Sequence, residues 1–129
     1  MKKKLLLSFL YFSIHLQAQS NWELLSPKPS FRTGIDIHFV TSDVGYILNQ
    51  SEILETNNSG LTWTKKQDIT NGVDMDFGNS VGYIVGNNGY VLKTINAGQS
   101  WSQITTGSAV NFNSVTVVDT DNIILSSAN

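Results

Sequence analysis

An internal repeat constrains the fold of this chain more than any other feature of its sequence. Three blocks recur in the same order about 38 residues apart: Ile35–Phe39 as Val73–Phe77, Gly45–Ile47 as Gly82–Ile84, and Thr56–Trp63 as Thr94–Trp101. A period of this length is typical of architectures in which small equivalent units stack and bury a shared core between them. The chain should therefore fold as a series of similar units.

The first two strands of each unit follow from the pattern of apolar residues. Residues 35–39 alternate, with Ile35, Ile37 and Phe39 on one face and Asp36 and His38 on the other. The next segment, 45–49 or 82–86, is continuously apolar, which indicates a strand covered on both faces. No stretch after the N-terminal segment has a helical period, so each unit should be a small sheet.

The second half of each unit is defined by turns. In the second copy Asn87-Asn88-Gly89 predicts a type I′ hairpin, because such a turn needs positive φ at both central positions. The third strand then runs over Tyr90–Thr94, and the fourth runs from Ser100 to about Ile104. Each unit is thus predicted to be four antiparallel strands.

Partial copies lie at both ends of the repeat. Ser114–Val117 and Ile123–Leu125 match the first two strands of a third copy, whereas Trp22–Leu25 matches the start of a fourth strand. In a ring of sheets, a fourth strand at the N-terminus can pair with strands from the C-terminal end of the chain and so complete the last sheet. We therefore predict an all-β chain, a β-propeller of four-stranded antiparallel blades present as a fragment of about two blades, the start of a third and a closing strand. The predicted units are 19–34 (closing strand and linker), 35–72 (blade 1), 73–109 (blade 2) and 110–129 (incomplete blade 3).

The N-terminus carries the features of an export signal. Lys2–Lys4 precede the apolar run Leu5–Leu16, and Ala18 offers a small residue for cleavage, which predicts a signal peptide over 1–18. A twelve-residue helix spans roughly 18 Å, against about 30 Å for a bilayer core, so the run is too short for a membrane anchor. The mature protein is expected to be secreted, periplasmic or in the cell envelope, without membrane insertion.

Charge and cysteine content exclude several functions. Removal of 1–18 leaves five basic against ten acidic side chains, a balance that repels phosphate backbones and disfavours nucleic-acid binding. The chain has no cysteine, which excludes a thiol nucleophile, a thiolate metal site and stabilisation by disulfides.

The blocks that end in tryptophan resemble the Asp-box, or bacterial neuraminidase repeat. Its side chains are predicted to be structural, with asparagine folding back onto backbone N–H groups, glycine at positive φ and tryptophan packed between blades. The residues so assigned are Thr56, Asn58, Gly60, Thr62 and Trp63, and Thr94, Asn96, Gly98, Ser100 and Trp101. Both copies have asparagine where the motif prefers aspartate, which keeps the acceptor and removes the charge.

More narrowly, Gly82–Thr94 followed by Asn96–Trp101 resembles the repeat of the photosystem II assembly and stability factor family. That resemblance implies a non-catalytic, exported propeller that binds a protein or a cell-surface ligand. The alternative is a secreted Asp-box glycoside hydrolase, sialidase-like, or a carbohydrate-binding protein. Sialidases imply three arginines around the substrate carboxylate, and this chain has only Arg32.

Other candidate active-site residues have simpler interpretations. Asp74 and Asp76 are spaced for a paired-carboxylate mechanism but are predicted to lie on a solvated strand face. His38 is predicted to be an exposed strand residue, and Asp119-Thr120-Asp121-Asn122 a turn instead of a calcium loop, since it lacks the following glycine and distal glutamate. No catalytic residue, metal ligand or cofactor is predicted, and the chain is not expected to be an enzyme.

Overall fold

The computed structural model describes residues 33–127, and within that range all regular structure is β. Ten strands form two four-stranded sheets and one hairpin. They are β1 Asp36–Phe39, β2 Gly45–Leu48, β3 Glu52–Thr56, β4 Thr64–Asp68, β5 Gly72–Gly78, β6 Val81–Gly86, β7 Tyr90–Thr94, β8 Ser102–Thr105, β9 Phe112–Val117 and β10 Ile123–Ser127. The predicted signal peptide and the predicted closing strand Trp22–Leu25 lie outside the described residues.

Each sheet is a meander of neighbouring antiparallel strands. The strand orders are β1-β2-β3-β4 and β5-β6-β7-β8, and β9 pairs with β10 as the start of a third sheet. We call these sheets blades 1, 2 and 3. The first strands of successive blades, β1 with β5 and β5 with β9, contact one another directly. The predicted all-β class and four-stranded antiparallel blades are confirmed, and the described stack of blades is open.

The first three strands have an equivalent register in the two full blades. Ile37 pairs with Ile47 in blade 1 as Met75 pairs with Ile84 in blade 2. The second strand lies at the centre of each sheet, and all six residues of β6 are buried. This explains why these segments are apolar without alternation, because both of their faces pack against other strands.

The core lies between the blades. One cluster joins side chains of blade 1 to side chains of blade 2: Tyr46, Leu48, Ile53 and Ile69 with Met75, Phe77, Ile84, Leu92 and Trp101. A second cluster joins Val81, Tyr83, Val85 and Val91 of blade 2 to Val115 of blade 3. Each sheet therefore shares its apolar faces with its neighbours, as expected for stacked repeats.

The opposite face of blade 1 has no such neighbour among the described residues. Met75 and Phe77 are 3% and 9% exposed, whereas the equivalent Ile37 and Phe39 are 55% and 42% exposed. The same alternating pattern thus gives a buried face in blade 2 and an open face in blade 1. No membrane-spanning helix occurs within residues 33–127.

Candidate functional site: blade interfaces and an amide-lined cleft

The side chains predicted to belong to an Asp-box form one hydrogen-bonded turn in each blade, for which we keep the name Asp-box turn. In blade 1, Thr56 Oγ1 accepts from Gly60 N at 2.9 Å, and Asn58 Oδ1 accepts from Thr62 N at 2.9 Å. In blade 2, Thr94 Oγ1 accepts from Gly98 N at 3.0 Å, and Asn96 Oδ1 accepts from Ser100 N at 2.9 Å. The asparagine amide group also donates to the hydroxyl of Thr62 or Ser100. These polar side chains are therefore occupied in holding the turn.

Both central residues of each Asp-box turn adopt positive φ. Ser59 and Gly60 have φ of 57° and 84°, and Ala97 and Gly98 have φ of 54° and 85°. Leu61 N donates to Asn58 O at 3.1 Å across the first turn, which gives a type I′ turn like the one at Asn88-Gly89. In the two Asp-box turns, sequence reasoning assigned positive φ only to Gly60 and Gly98 and missed Ser59 and Ala97.

Tyr46 connects blade 1 to the Asp-box turn of blade 2. Its hydroxyl lies 2.9 Å from Ala97 O and 3.2 Å from Glu55 Oε1, and its ring stacks on Phe77 with centroids 5.7 Å apart. Burial raises the pKa of Tyr46, and the Glu55 carboxylate raises it further, so the hydroxyl keeps its proton and remains a donor. Sequence reasoning missed this contact, because only the stacking of blades brings the two segments together.

The two motif tryptophans have different surroundings. Trp101 is 8% exposed in the cluster between blades 1 and 2, with its ring edge-on to Phe77 at 5.5 Å. Trp63 is half-buried on the open face of blade 1, edge-on to Phe39 at 6.1 Å. Of the two, Trp101 therefore lies between described blades.

The prediction that Asp74 and Asp76 lie on a solvated face is wrong. Asp74 Oδ2 accepts from Val115 N at 2.8 Å and from Ser114 Oγ at 2.7 Å, and Asp76 Oδ2 accepts from Val117 N at 2.7 Å. These carboxylates satisfy N–H groups on the edge of the next blade's first strand, which would otherwise be unpaired. Asp36 does the same for Met75 N at 3.1 Å. The alternating polar positions are thus contacts between blades.

The prediction that His38 is an exposed strand residue is also wrong. Its side chain is 30% exposed, its ring lies 4.9 Å from the ring of Phe77, and Nδ1 is 3.9 Å from Asp76 Oδ1. The register places His38 at the position that Asp76 occupies in blade 2. It therefore packs against the next blade through its ring.

We expect Asp74→Ala to lower the free energy of unfolding by about 1–3 kcal/mol, because it leaves Val115 N–H without its acceptor. Urea denaturation of variant and wild type measures the difference. Asp121→Ala is the matched control, since within residues 33–127 the Asp121 carboxylate accepts no hydrogen bond. Equal stability of the two variants would contradict a role for Asp74 in joining the blades.

The stability of the chain should also depend on the ionisation of Asp36. Burial raises the pKa of Asp36 above 3.8; hydrogen bonds from Ile37 N and Met75 N oppose the rise, and the Asp74 carboxylate adds to it. The folded state therefore binds this proton more tightly than the unfolded state. The stabilisation from protonated Asp36 is fully present below the unfolded pKa and is lost as pH rises through the folded pKa.

Asp36→Asn is expected to remove this loss, because the amide keeps an acceptor for Met75 N and carries no charge. The free energy of unfolding of each protein is measured from about pH 3 to pH 6. As pH rises, the value for the variant should increase relative to the value for wild type. A constant difference across that range would contradict the prediction.

An uncharged cleft lies at one end of blade 2, beside the turns that lead into and out of its strands. Its volume is about 500 Å³, and it is lined by Thr70, Asn71, Asn87, Asn88, Gly89, Tyr90 and residues 103–109. The side-chain amides of Asn71, Asn87, Asn88 and Gln103 are exposed, and no hydrogen bond within the described chain uses them. Each amide offers both donors and an acceptor, the chemistry that matches an uncharged polar ligand.

The remaining candidate residues do not converge on a chemical site. Asp119 Oδ1 accepts from the N–H groups of Asp121 and Asn122, so this segment closes the turn between β9 and β10. The Asn122 amide is the main cause that lowers the pKa of Asp119. Within residues 33–127, no three His, Asp or Glu side chains are grouped as metal ligands require, and Arg32 lies outside that range.

The repeated four-stranded sheets and the contacts between their first strands define a β-propeller, of which the described residues form an open stack of blades. The model of the family PSII_BNR, described as "Photosynthesis system II assembly factor YCF48", matches residues 14–124, and the chain belongs to this family. The predicted resemblance is confirmed.

Solved structures agree with this fold, and nine of their chains match. One, described as "YCF48 bound to D1 peptide", has a TM-score of 0.66 and 22% sequence identity, and the match covers 75% of this chain and 34% of that chain. The present chain thus spans about a third of the length of that protein. Among curated proteins none matches significantly.

Proposed function

We propose that this protein is an exported, non-catalytic β-propeller scaffold that binds another protein. The observation that carries the proposal is the use of the Asp-box side chains. The polar side-chain atoms of four motif residues form hydrogen bonds within the turns and are not available to act on a substrate: Thr56, Asn58, Thr94 and Asn96. The motif therefore supports a rigid frame on which binding surfaces are displayed.

Membership of the PSII_BNR family supports the same proposal. A related propeller was solved as "YCF48 bound to D1 peptide", and we propose peptide or protein binding for the present chain on that analogy. The uncharged cleft beside blade 2 is suited to such a ligand, since side-chain amides match the donors and acceptors of a peptide group. Export is proposed from Lys2–Lys4 and the apolar run that follows them.

Affinity capture from the envelope fraction of the source organism tests this function. The immobilised chain should retain a protein that, once purified, binds it saturably in calorimetry. Trp101→Ala is the control, because loss of the packing between blades 1 and 2 should abolish specific capture. If the folded chain captures no protein, or if deglycosylation of the fraction removes all binding, a protein-binding role is contradicted and a carbohydrate-binding one is favoured.

A further inference from the structure

The fourth strand of blade 2, β8 (Ser102–Thr105), is an edge strand with one side open. It pairs with β7 through Leu92 opposite Gln103, and within residues 33–127 no strand pairs with its other side. All four of its residues are exposed. Alternate N–H and C=O groups of an edge strand point outward and can pair with another extended chain.

The equivalent edge of blade 1 is protected by charge, and β8 is not. In β4, Lys65 pairs with Asp68 at 3.0 Å, and Lys66 pairs with Glu55 at 3.1 Å. The register places Gln103 of β8 at the position of Lys65 and Ile104 at the position of Gln67, and Lys66 is the extra residue of a bulge in β4 that β8 lacks. Lysine on an edge strand discourages pairing with a further chain. The outer strands of the two blades therefore differ in the charge that discourages pairing with a further chain.

Clefts flank β8 on both sides. Gln103 and Thr105 line the amide-lined cleft of about 500 Å³, whereas Ser102 lines a second cleft of about 350 Å³ together with Ile95, and Ile104 borders both clefts. Successive side chains of an added strand would point alternately to the two sides. The first cleft suits an uncharged polar side chain. The second cleft is also lined by Lys93, whose ammonium group lies 5.3 Å from the centroid of the Tyr83 ring, and its exposed Ile95 and Ile104 suit an apolar side chain.

We propose that β8 binds an extended peptide segment as an additional strand of blade 2. The segment carries alternating apolar and uncharged polar side chains and has no proline at its centre, because proline cannot donate to the ladder. Backbone hydrogen bonds supply affinity, and the two clefts supply specificity, as in other cases of strand addition. This inference rests on the proposed protein-binding function and names the surface and the chemistry of its ligand.

A phage-displayed library of linear peptides, selected against the intact chain, provides the probe. Selected peptides should show the alternating pattern, and their binding should slow hydrogen exchange at the backbone amides of Ser102–Thr105. Protection confined to other strands would overturn the assignment to β8 and leave the protein-binding function standing. Failure of both peptide selection and envelope capture would overturn both.

The variant Gln103→Lys/Ile104→Lys tests the role of charge, since these two residues align with Lys65 and Lys66 of β4 along the sequence repeat. We expect a loss of peptide affinity of about tenfold or more, with the urea unfolding midpoint unchanged. Leu61→Lys is the control, because Leu61 is an exposed apolar residue in the turn between β3 and β4 of blade 1 and lines neither cleft. Unchanged affinity in the lysine variant, or saturable binding of cellohexaose in place of any peptide, would overturn the proposal.

Discussion

Trp101→Ala is expected to lower the free energy of unfolding by about 3–5 kcal/mol, the range for truncating a large buried aromatic residue. Trp101 is 8% exposed, and it packs among side chains of both blades. Its removal would leave a cavity where Phe77 loses an edge-on partner at 5.5 Å. Urea denaturation followed by far-ultraviolet circular dichroism measures the change without relying on tryptophan fluorescence.

Trp63→Ala is the matched control, because it removes the equivalent indole from the open face of blade 1. Trp63 is half-buried, so its loss should cost about 1–2 kcal/mol, a smaller effect than at Trp101. Similar losses for the two variants would contradict packing between the blades as the source of the stability that Trp101 provides.

Gly98→Ala is expected to lower the free energy of unfolding by about 2–5 kcal/mol, through backbone strain together with overpacking. Gly98 has φ of 85°, and a Cβ at this position would lie 2.4 Å from ring atoms of Tyr46. Tyr46 is fully buried and stacked on Phe77, so it cannot move aside at low cost. The added methyl group should therefore separate the two blades.

Gly107→Ala separates the two contributions, since Gly107 has φ of 67° and a Cβ there would meet no atom within 4 Å. We expect it to cost only the strain, about 1–2 kcal/mol. The difference between the variants in urea denaturation then measures the contact with Tyr46. Equal costs would show that Gly98 is required for its conformation alone.

Much of the fold could be predicted because its signals are local. Continuous apolar runs identified the central strands, and Asn88-Gly89, with φ of 58° and 69°, forms the expected turn. The ends of strands were predicted less accurately. The fourth strand of blade 2 was expected to start at Ser100, but β8 starts at Ser102. Ser100 N donates its hydrogen bond to Asn96 Oδ1 within the preceding turn and so does not take part in the sheet. Hydrogen bonds within the turn thus delay the strand.

The contacts between blades could not be read from the pattern. An alternating aspartate looks the same whether it faces water or the edge of another strand, and only stacking distinguishes the two. Asp74 and Asp76 were consequently assigned to solvent, although they bind Val115 N and Val117 N. Likewise, nothing local to Tyr46 indicates that its hydroxyl reaches Ala97, which lies 51 residues further along the chain.

The sequence by itself determined the repeat, the four strands of each blade and the hydrogen-bonded turns that precede Trp63 and Trp101, because each depends on side chains and backbone within a few residues of one another. Tertiary structure alone decided which equivalent positions are buried, since Phe77 is covered by blade 1 while Phe39 is 42% exposed. It also decided that Asp74 and Asp76 bind the edge strand of the next blade. Burial and edge pairing depend on a neighbouring sheet, and a repeat specifies its own strands without specifying what lies beside them.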